Sequence, residues 1–459
     1  VFPLIKLSLG LGVLAIAIVL VAFFPLNRLQ ASATIVMVAV VTFAVGWFGT
    51  GNGFENFVAY VKTAFPIVTG YSAAMVIGPA GIGWRGWLAV VVVLIVGALT
   101  WLSCRRLPPV AGIGVALCAI VTLWLLAKEA FVRFDGGHEV AFFAFLPILV
   151  VAFRPTAARM WVMGGLAVAI ATSYTLIGAI PILAYRPDQS VRHFGGEVLA
   201  FATSGIRHQI LSEGRSVMQA TYSVPPSMLS RMRGHTVYVD PWEENVTWAY
   251  PGSTFDPLPV FQDYSAYTTS LDDLDASFLS SSRAPSIILK EGPLAIDGRS
   301  ATFEPPLAQV VIECRYRQVS ASTSWQLLVR GADRCGAIHH LSSVVTDSSG
   351  FVRVPTAGPG GEVLATFELP RSPIAKIEEL LTRSPEVCMN TKWVGGTHFP
   401  FRFVVGTATD VHLLRPATTL GYDPPFVPPN INSFNFSICG STAPIPGVRV
   451  TFYRMAIRP

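Results

Sequence analysis

Charge is what this chain has least of. Only 13% of its 459 residues are Asp, Glu, Lys or Arg, against about 25% in an ordinary soluble domain, and the mean hydropathy is +0.52. The scarcity is uneven. Of 61 charged residues, fourteen fall in residues 1–184 and the remaining forty-seven in 185–459. The first part therefore suits lipid and the second water. Runs of Lys or Arg and basic stripes interleaved with aromatics are missing despite a net charge of +5, which sets nucleic acid aside as a partner. A phosphate-binding P-loop, an HExxH zinc helix, a GxSxG elbow and a dinucleotide-type glycine fingerprint are missing too. ATP-driven transport, zinc proteolysis and α/β-hydrolase chemistry have no footing. No internal repeat or low-complexity tract is visible.

Cysteine is also sparse, with six residues. Cys104 and Cys118 sit in apolar stretches and read as small core residues. Cys314, Cys335, Cys388 and Cys439 lie in the charged half. Their spacing offers no C-x-x-C or His-paired pattern for a metal, so an even set reads as two disulfides. Three connectivities are open. Cys314–Cys335 with Cys388–Cys439 is favoured, because each would join residues expected to share a β-sheet. Disulfides persist in oxidising compartments, which places this half outside the cytoplasm.

Membrane-crossing apolar runs are expected at 7–25, 31–50, 86–103, 109–127, 139–153 and 160–184, the fifth being short and beginning within 135–139 or tilted. Arg28, Arg105, Arg106, Arg154 and Arg159 follow the first, third and fifth runs, so those turns face the cytoplasm by the positive-inside rule. Segments 51–85 and 128–138 and everything beyond 185 then face outward. That arrangement puts residue 1 outside as well, which leads us to expect further spans upstream. Within 51–85, Phe54, Phe57, Val58, Val61 and Phe65 recur at helical spacing and predict an interfacial helix. The apolar stretch from Ile67 to Ile82, broken by Gly70, Gly78, Pro79 and Gly81, predicts a re-entrant segment lining a cavity, the plainer alternative being a seventh, poorly formed span.

The expected fold class is an α-helical membrane bundle of about six transmembrane helices, followed by an extracytoplasmic mixed α/β and β-sandwich domain. The expected divisions are 1–185 for the bundle, 186–300 for juxtamembrane helices and a small α/β region, and 301–459 for a β-sandwich. Strands are expected at Thr236–Val239, Ser286–Lys290, Gln309–Arg317, Trp325–Arg330, Val363–Phe367, Phe401–Val405 and Val448–Tyr453.

Chemistry-bearing residues gather in one outward loop, Lys128 to Glu139, between two long apolar runs. Ionisable groups at membrane depth are costly and mark pathways or sites. Asp135 or Glu139 could serve as a general base or hold a divalent cation (Mg or Mn), His138 could shuttle protons, and Lys128 and Arg133 could hold a phosphate. A solvated, locally paired loop is the plainer reading. Between 242 and 275, Trp242, Asp256, Gln262, Tyr264 and Tyr267 mix aromatic faces with carboxylate and amide groups, a composition suited to carbohydrate. Aromatics of this kind also plug one domain against another. Arg192, His193, Arg207, His208, Arg215, Arg231 and Arg233 form a basic stretch past the last apolar run, suited to a lipid diphosphate or an anionic headgroup.

Four segments taken together, KEAFVRFDGGH at 128–138, PVFQDYSAYTTSLDDLDA at 259–276, APSIIL with IDGR within 284–299, and WQLLVRGADRC at 325–335, resemble a group of bacterial polytopic membrane proteins. Their architecture is similar to that of the GT-C glycosyltransferases, the mycobacterial-type arabinosyltransferases included. The resemblance implies a plasma (inner) membrane enzyme that takes a sugar from a polyprenyl-phosphate donor. It would pass the sugar to an envelope glycan or protein, with the outer β-rich part binding the acceptor. In that family the catalytic carboxylate sits in the first outward loop near the N-terminus, and no residue here matches it. The rival reading is a non-catalytic structural or glycan-binding subunit working with other membrane subunits.

Overall fold

The computed structural model describes residues 7–23, 27–78, 83–133, 135–152, 158–183, 195–196, 198–200, 202–292, 295–347, 351–371, 379, 383–417 and 420–458. The chain forms two compact units. One is Val1–Pro187 with Ile374–Ser384, and the other is Asp188–Pro373 with Pro385–Pro459.

The first unit is helical: α1 (Leu7–Phe23), α2 (Arg28–Gly49), α3 (Asn56–Ala74), α4 (Gly83–Cys104), α5 (Pro109–Val132), α6 (Gly136–Ala152) and α7 (Ala158–Leu183). Helices α4 and α5, of 22 and 24 residues, are long and apolar enough to cross a membrane, since about 20 residues at 1.5 Å each span a bilayer core. Pro109 opens α5 where a missing N–H costs nothing. On α4 the Thr100 and Ser103 hydroxyls donate to the carbonyls of Val96 and Leu99 at 2.8 and 2.9 Å, so polar groups are satisfied within their own helix. Between the helices, Val96, Leu99, Phe142, Phe143, Leu146, Met160 and Ala167 build the core. Outside, Val36, Met37, Val45, Leu94, Ile113 and Ile120 are exposed. A helix apolar on every face suits an apolar surround rather than water.

Segment 51–85 departs from expectation. Helix α3 runs through Pro66 and Gly70 to Ala74 without a break at the glycine. A lone helical glycine costs only about 1 kcal/mol, too little to end a helix with apolar contacts on both sides. The chain turns instead at 75–78. There the Ile77 amide donates to the Val132 carbonyl at 3.1 Å, and Gly78 takes a φ of +132° that suits glycine alone. Pro79, Gly81 and Ile82 lie outside the described residues.

The second unit is sheet-rich. Its helices are α8 (Ser204–Tyr222), α9 (Pro226–Met232), α10 (Asn245–Ala249), α11 (Thr269–Ser280) and α12 (Pro306–Arg315). Five strands, β1 (Thr236–Asp240), β2 (Thr254–Phe255), β3 (Ile287–Glu291), β4 (Tyr316–Ala321) and β5 (Trp325–Arg330), form a mixed sheet in the order β2-β1-β3-β5-β4. Alternation decides what each face covers. Val237, Val239, Ile287, Leu289 and Leu327 meet Met228 and Met232 of α9. Tyr238, Ile288 and Leu328 meet Ala276 and Leu279 of α11 and Ala308 and Ile312 of α12. The result is a helix–sheet–helix layer arrangement.

The remaining strands are β6 (Cys335–Val345), β7 (Val352–Arg353), β8 (Gly361–Glu368), β9 (Val387–Trp393), β10 (His398–Arg402), β11 (His412–Arg415), β12 (Ile431–Ile438) and β13 (Arg449–Ile457). They form two four-stranded antiparallel sheets, β10-β9-β12-β7 and β11-β8-β13-β6. Between them, Val363, Phe367, Met389, Phe434, Phe436 and Phe452 form one apolar core. Phe367 is the hub, with ring centroids 5.4, 5.6 and 5.2 Å from Phe403, Phe434 and Phe436.

The expected strand at Gln309–Arg317 is a helix. Val310, Val311 and Ile312 read locally as a strand, but Pro306 sits in the first turn of α12 and Asp272 of α11 supplies its cap. The two Asp272 oxygens accept the Leu307 and Ala308 amides at 2.8 and 2.9 Å. Strands β4 and β5 complete the mixed sheet, so the α/β layer continues to Arg330 and the sandwich strands begin at Cys335.

Cys314–Cys335 and Cys388–Cys439 are disulfide-bonded, with Cα separations of 5.2 and 4.9 Å. The first joins the end of α12 to the start of β6 rather than two strands. The second joins β9 to Cys439, the residue that follows the neighbouring β12. Cys104 and Cys118 are free.

Candidate functional site

The outward loop singled out in the sequence is a short corner between α5 and α6. Asp135 stands at the cap position of α6. Its Oδ1 accepts the His138 amide at 3.0 Å and lies 2.8 Å from His138 Nδ1, the arrangement an N-cap carboxylate favours. Its Oδ2 lies 3.4 Å from Arg133 Nε. Burial raises the Asp135 carboxyl, but hydrogen bonds from His138 and Arg133 outweigh it and hold the group below its ordinary value.

Glu139 follows in the first turn of α6 and is wholly buried. Its Oε2 accepts from Arg85 Nη1 at 3.1 Å and from the Tyr174 hydroxyl. Among the described residues no donor reaches its Oε1. Arg85 comes from the first turn of α4, beside Trp84 at 5.5 Å from the ring centre. Tyr174 comes from α7 and lies on Phe143, with centroids 4.1 Å apart. The segment after α3 closes the group, for Arg133 Nη1 reaches the Met75 sulfur at 3.7 Å. Three helices and one strap thus place two carboxylates, two guanidiniums and an imidazole at one end of an apolar bundle. Lys128 stands at the other end of the corner. Its Nζ donates to the Glu379 carbonyl at 3.2 Å and lies 5.7 Å from the Trp124 ring centre.

Asp135, His138, Glu139, Lys128 and Arg133 were legible in the sequence; Arg85 and Tyr174 were not singled out. A signal existed, since Arg85 is the only charged residue between Lys62 and Arg105. The divalent cation fares differently. Among the described residues, Asp135, His138 and Glu139 do not converge as a ligand set. Cys314, Asp333 and Cys335 do converge, but there the two sulfurs are joined to each other.

The aromatic stretch divides between opposite edges of the mixed sheet. Tyr264 and Tyr267 line a cavity of about 10 Å³ with Asp263, Arg299 and Glu304 at the carboxyl edge of β1 and β3. Trp242 meets Tyr264 edge-on at 5.6 Å, and the Tyr264 hydroxyl donates to Gln262 Oε1 at 2.7 Å. Gly406 is required there, since a Cβ would fall 2.2 Å from the Tyr267 carbonyl oxygen. The carboxyl edge is where open α/β sheets hold ligands, but here buried charge fills it. Lys290 pairs with Asp240 at 2.6 Å and donates to Gln309 Oε1 at 2.7 Å, and Arg299 pairs with Glu304 at 2.8 Å. Burial, with Asp240 and Glu304 nearby, pushes the Asp263 carboxyl well above its usual range. Burial likewise raises Glu304 to about 8, against the pull of Arg299 and Arg402.

Asp256 lies at the other edge. It lines a cavity of about 790 Å³ with Arg231, Arg233, Arg283 and Arg330. Burial raises its carboxyl, opposed by the charge of Arg283. Of the basic stretch, Arg215 covers the Trp248 ring at 5.1 Å, while Arg192 and His193 lie outside the described residues.

Comparison with protein-family models, with curated proteins and with solved structures finds no match to this chain.

Proposed function

We propose that the chain is a polytopic membrane glycosyltransferase of the bacterial plasma membrane. It transfers a sugar from a polyprenyl-phosphate donor to an envelope glycan or protein. In this reading α1, α2 and α4–α7 are six spans, and the disulfide-bearing unit stands outside the cytoplasm with the Asp135 corner. The observation that carries it is Glu139: a wholly buried carboxyl group, one oxygen of which no donor reaches among the described residues, beside Asp135 at the end of an apolar bundle. Ionisable groups set in apolar surroundings are costly and mark candidate sites.

The chemistry follows from the atoms. Asp135, held ionised by His138 and Arg133, takes the proton of an acceptor hydroxyl. That oxygen forms a bond to the anomeric carbon as the bond from this carbon to the phosphate oxygen breaks. The departing polyprenyl phosphate keeps the electron pair, and Arg133 and Arg85 steady its charge. Glu139, fixed by Tyr174, orients Arg85.

The test is sugar transfer from a polyprenyl-phosphate donor by the full chain in liposomes. Asp135→Asn is expected to lower the rate roughly 10²–10⁴-fold, the usual contribution of a general base. An unchanged rate overturns the assignment. Acceptor binding with no transfer by the unaltered chain would favour the glycan-binding subunit instead.

A further inference from the structure

Four arginines face one cavity in the second unit. Arg231 and Arg233 come from the end of α9 and the turn after it, Arg283 from the loop before β3, and Arg330 from the end of β5. Asp256 is the only carboxylate in the lining. Among the described residues, Arg231, Arg233 and Arg330 reach no carboxylate at ion-pair distance, and Arg283 only feels the charge of Asp256. Arg330 is nevertheless fixed, since its Nη1 donates to the carbonyls of Ser282 and Ala284 at 3.2 and 3.1 Å. At the floor, the Thr236 and Ser286 hydroxyls lie 2.7 Å apart.

Arg299, Arg315 and Arg449 of this unit pair with Glu304, Asp333 and Glu368. Gathering four guanidiniums around one acid opposes folding by mutual repulsion, and an anionic occupant removes that cost. Guanidinium forks match phosphate oxygens two at a time. The volume exceeds that of a bare phosphate and falls in the range of pockets for organic ligands. Asp256 and the two hydroxyls are suited to sugar hydroxyl groups.

We propose that this cavity binds a phosphorylated saccharide, with the arginines on the phosphate and Asp256 on the sugar. The site lies at the amino edge of β1 and β3 because their carboxyl edge is filled by the Asp240–Lys290 and Arg299–Glu304 pairs, which leave room for about one water. The proposal goes beyond sugar transfer and does not depend on it, because binding is read without donor or acceptor present.

The experiment is titration calorimetry on the full chain in phosphatidylcholine nanodiscs, with glucose 6-phosphate, glucose and inorganic phosphate as probes. Glucose 6-phosphate is expected to bind, and glucose to bind at least about tenfold more weakly. Arg231→Gln with Arg233→Gln, both exposed and away from the core, is expected to raise the Kd for glucose 6-phosphate at least about tenfold with a thermal unfolding temperature no lower than the original's. The proposal is overturned by no binding of glucose 6-phosphate, by equal binding of glucose, by a Kd for the double variant within about twofold of the original, or by loss of sugar-phosphate binding when phosphatidylglycerol enters the nanodisc. The last would assign the arginines to a lipid headgroup. Inorganic phosphate binding as tightly as the sugar phosphate would reduce the site to a bare anion site and also defeats the saccharide assignment.

Discussion

Both units bury carboxylates beside cations, and they differ in how exposed those cations are: Arg85 is 42% exposed, Lys290 17% and Arg299 1%. In the helical unit, Glu139 is held by one guanidinium and one phenol, and its second oxygen has no donor among the described residues. Arg85 itself is 42% exposed, so the pair stands half in and half out of the bundle. In the sheet-rich unit, Lys290 serves both Asp240 and Gln309, and Arg299 serves Glu304 while donating to the Tyr264 carbonyl at 3.1 Å. The cavity beside them is about 10 Å³. The second arrangement behaves as a polar core that fixes how the α/β layer meets the sandwich. In both units some buried carboxylate oxygens find no donor among the described residues, Glu139 Oε1 in the first and Asp263 Oδ1 and Asp275 Oδ2 in the second.

The contrast can be broken in several ways, the largest first. Phe367→Ala removes the hub ring of the sandwich and is expected to cost about 3–5 kcal/mol, seen as a fall in the denaturant midpoint of the second unit. Opening the Cys388–Cys439 bridge, which encloses 51 residues, is expected to cost about 4 kcal/mol, and opening Cys314–Cys335, which encloses 21, about 3 kcal/mol. Thermal unfolding of the paired Cys→Ser variants measures both. The reverse order would show that strain, not loop length, governs these bridges.

Arg85→Leu leaves Glu139 without its cation. Discounted for the exposure of Arg85, a cost of about 1–3 kcal/mol is expected, and adding Glu139→Gln should recover most of it. A double-mutant cycle on thermal stability reads the coupling, and purely additive effects would show that the pair does not interact. Smallest per step is the pH effect of Glu304. Its carboxyl is raised in the folded state to about 8 from 4.5. Its contribution is therefore fully present below about 4.5 and is lost as pH climbs through about 8, at up to about 1.4 kcal/mol per pH unit. Glu304→Gln should flatten that decline, and an unchanged pH profile would show that another group governs it.

Much of the local structure was legible. The apolar runs coincide with helices because about 20 consecutive apolar residues leave a chain little else to do. The strands at Thr236, Trp325 and Val363 carried their own alternation. What misled was α12: Val310–Ile312 has strand composition, and its helical state depends on a cap from Asp272, distant in sequence. At the site, Asp135 and Glu139 stood out as charges between apolar runs. Tyr174, one of twelve tyrosines, carried no signal of its own.

Sequence alone determined the division between apolar and polar halves, the run lengths and the even set of four cysteines in the polar half. Each depends on composition or spacing along the chain. Only tertiary structure decided which groups meet. Arg85 and Tyr174 reach Glu139 across 54 and 35 residues, and four arginines gather at one sheet edge. Such meetings are set by packing between elements, and packing between distant elements leaves no local mark in a sequence.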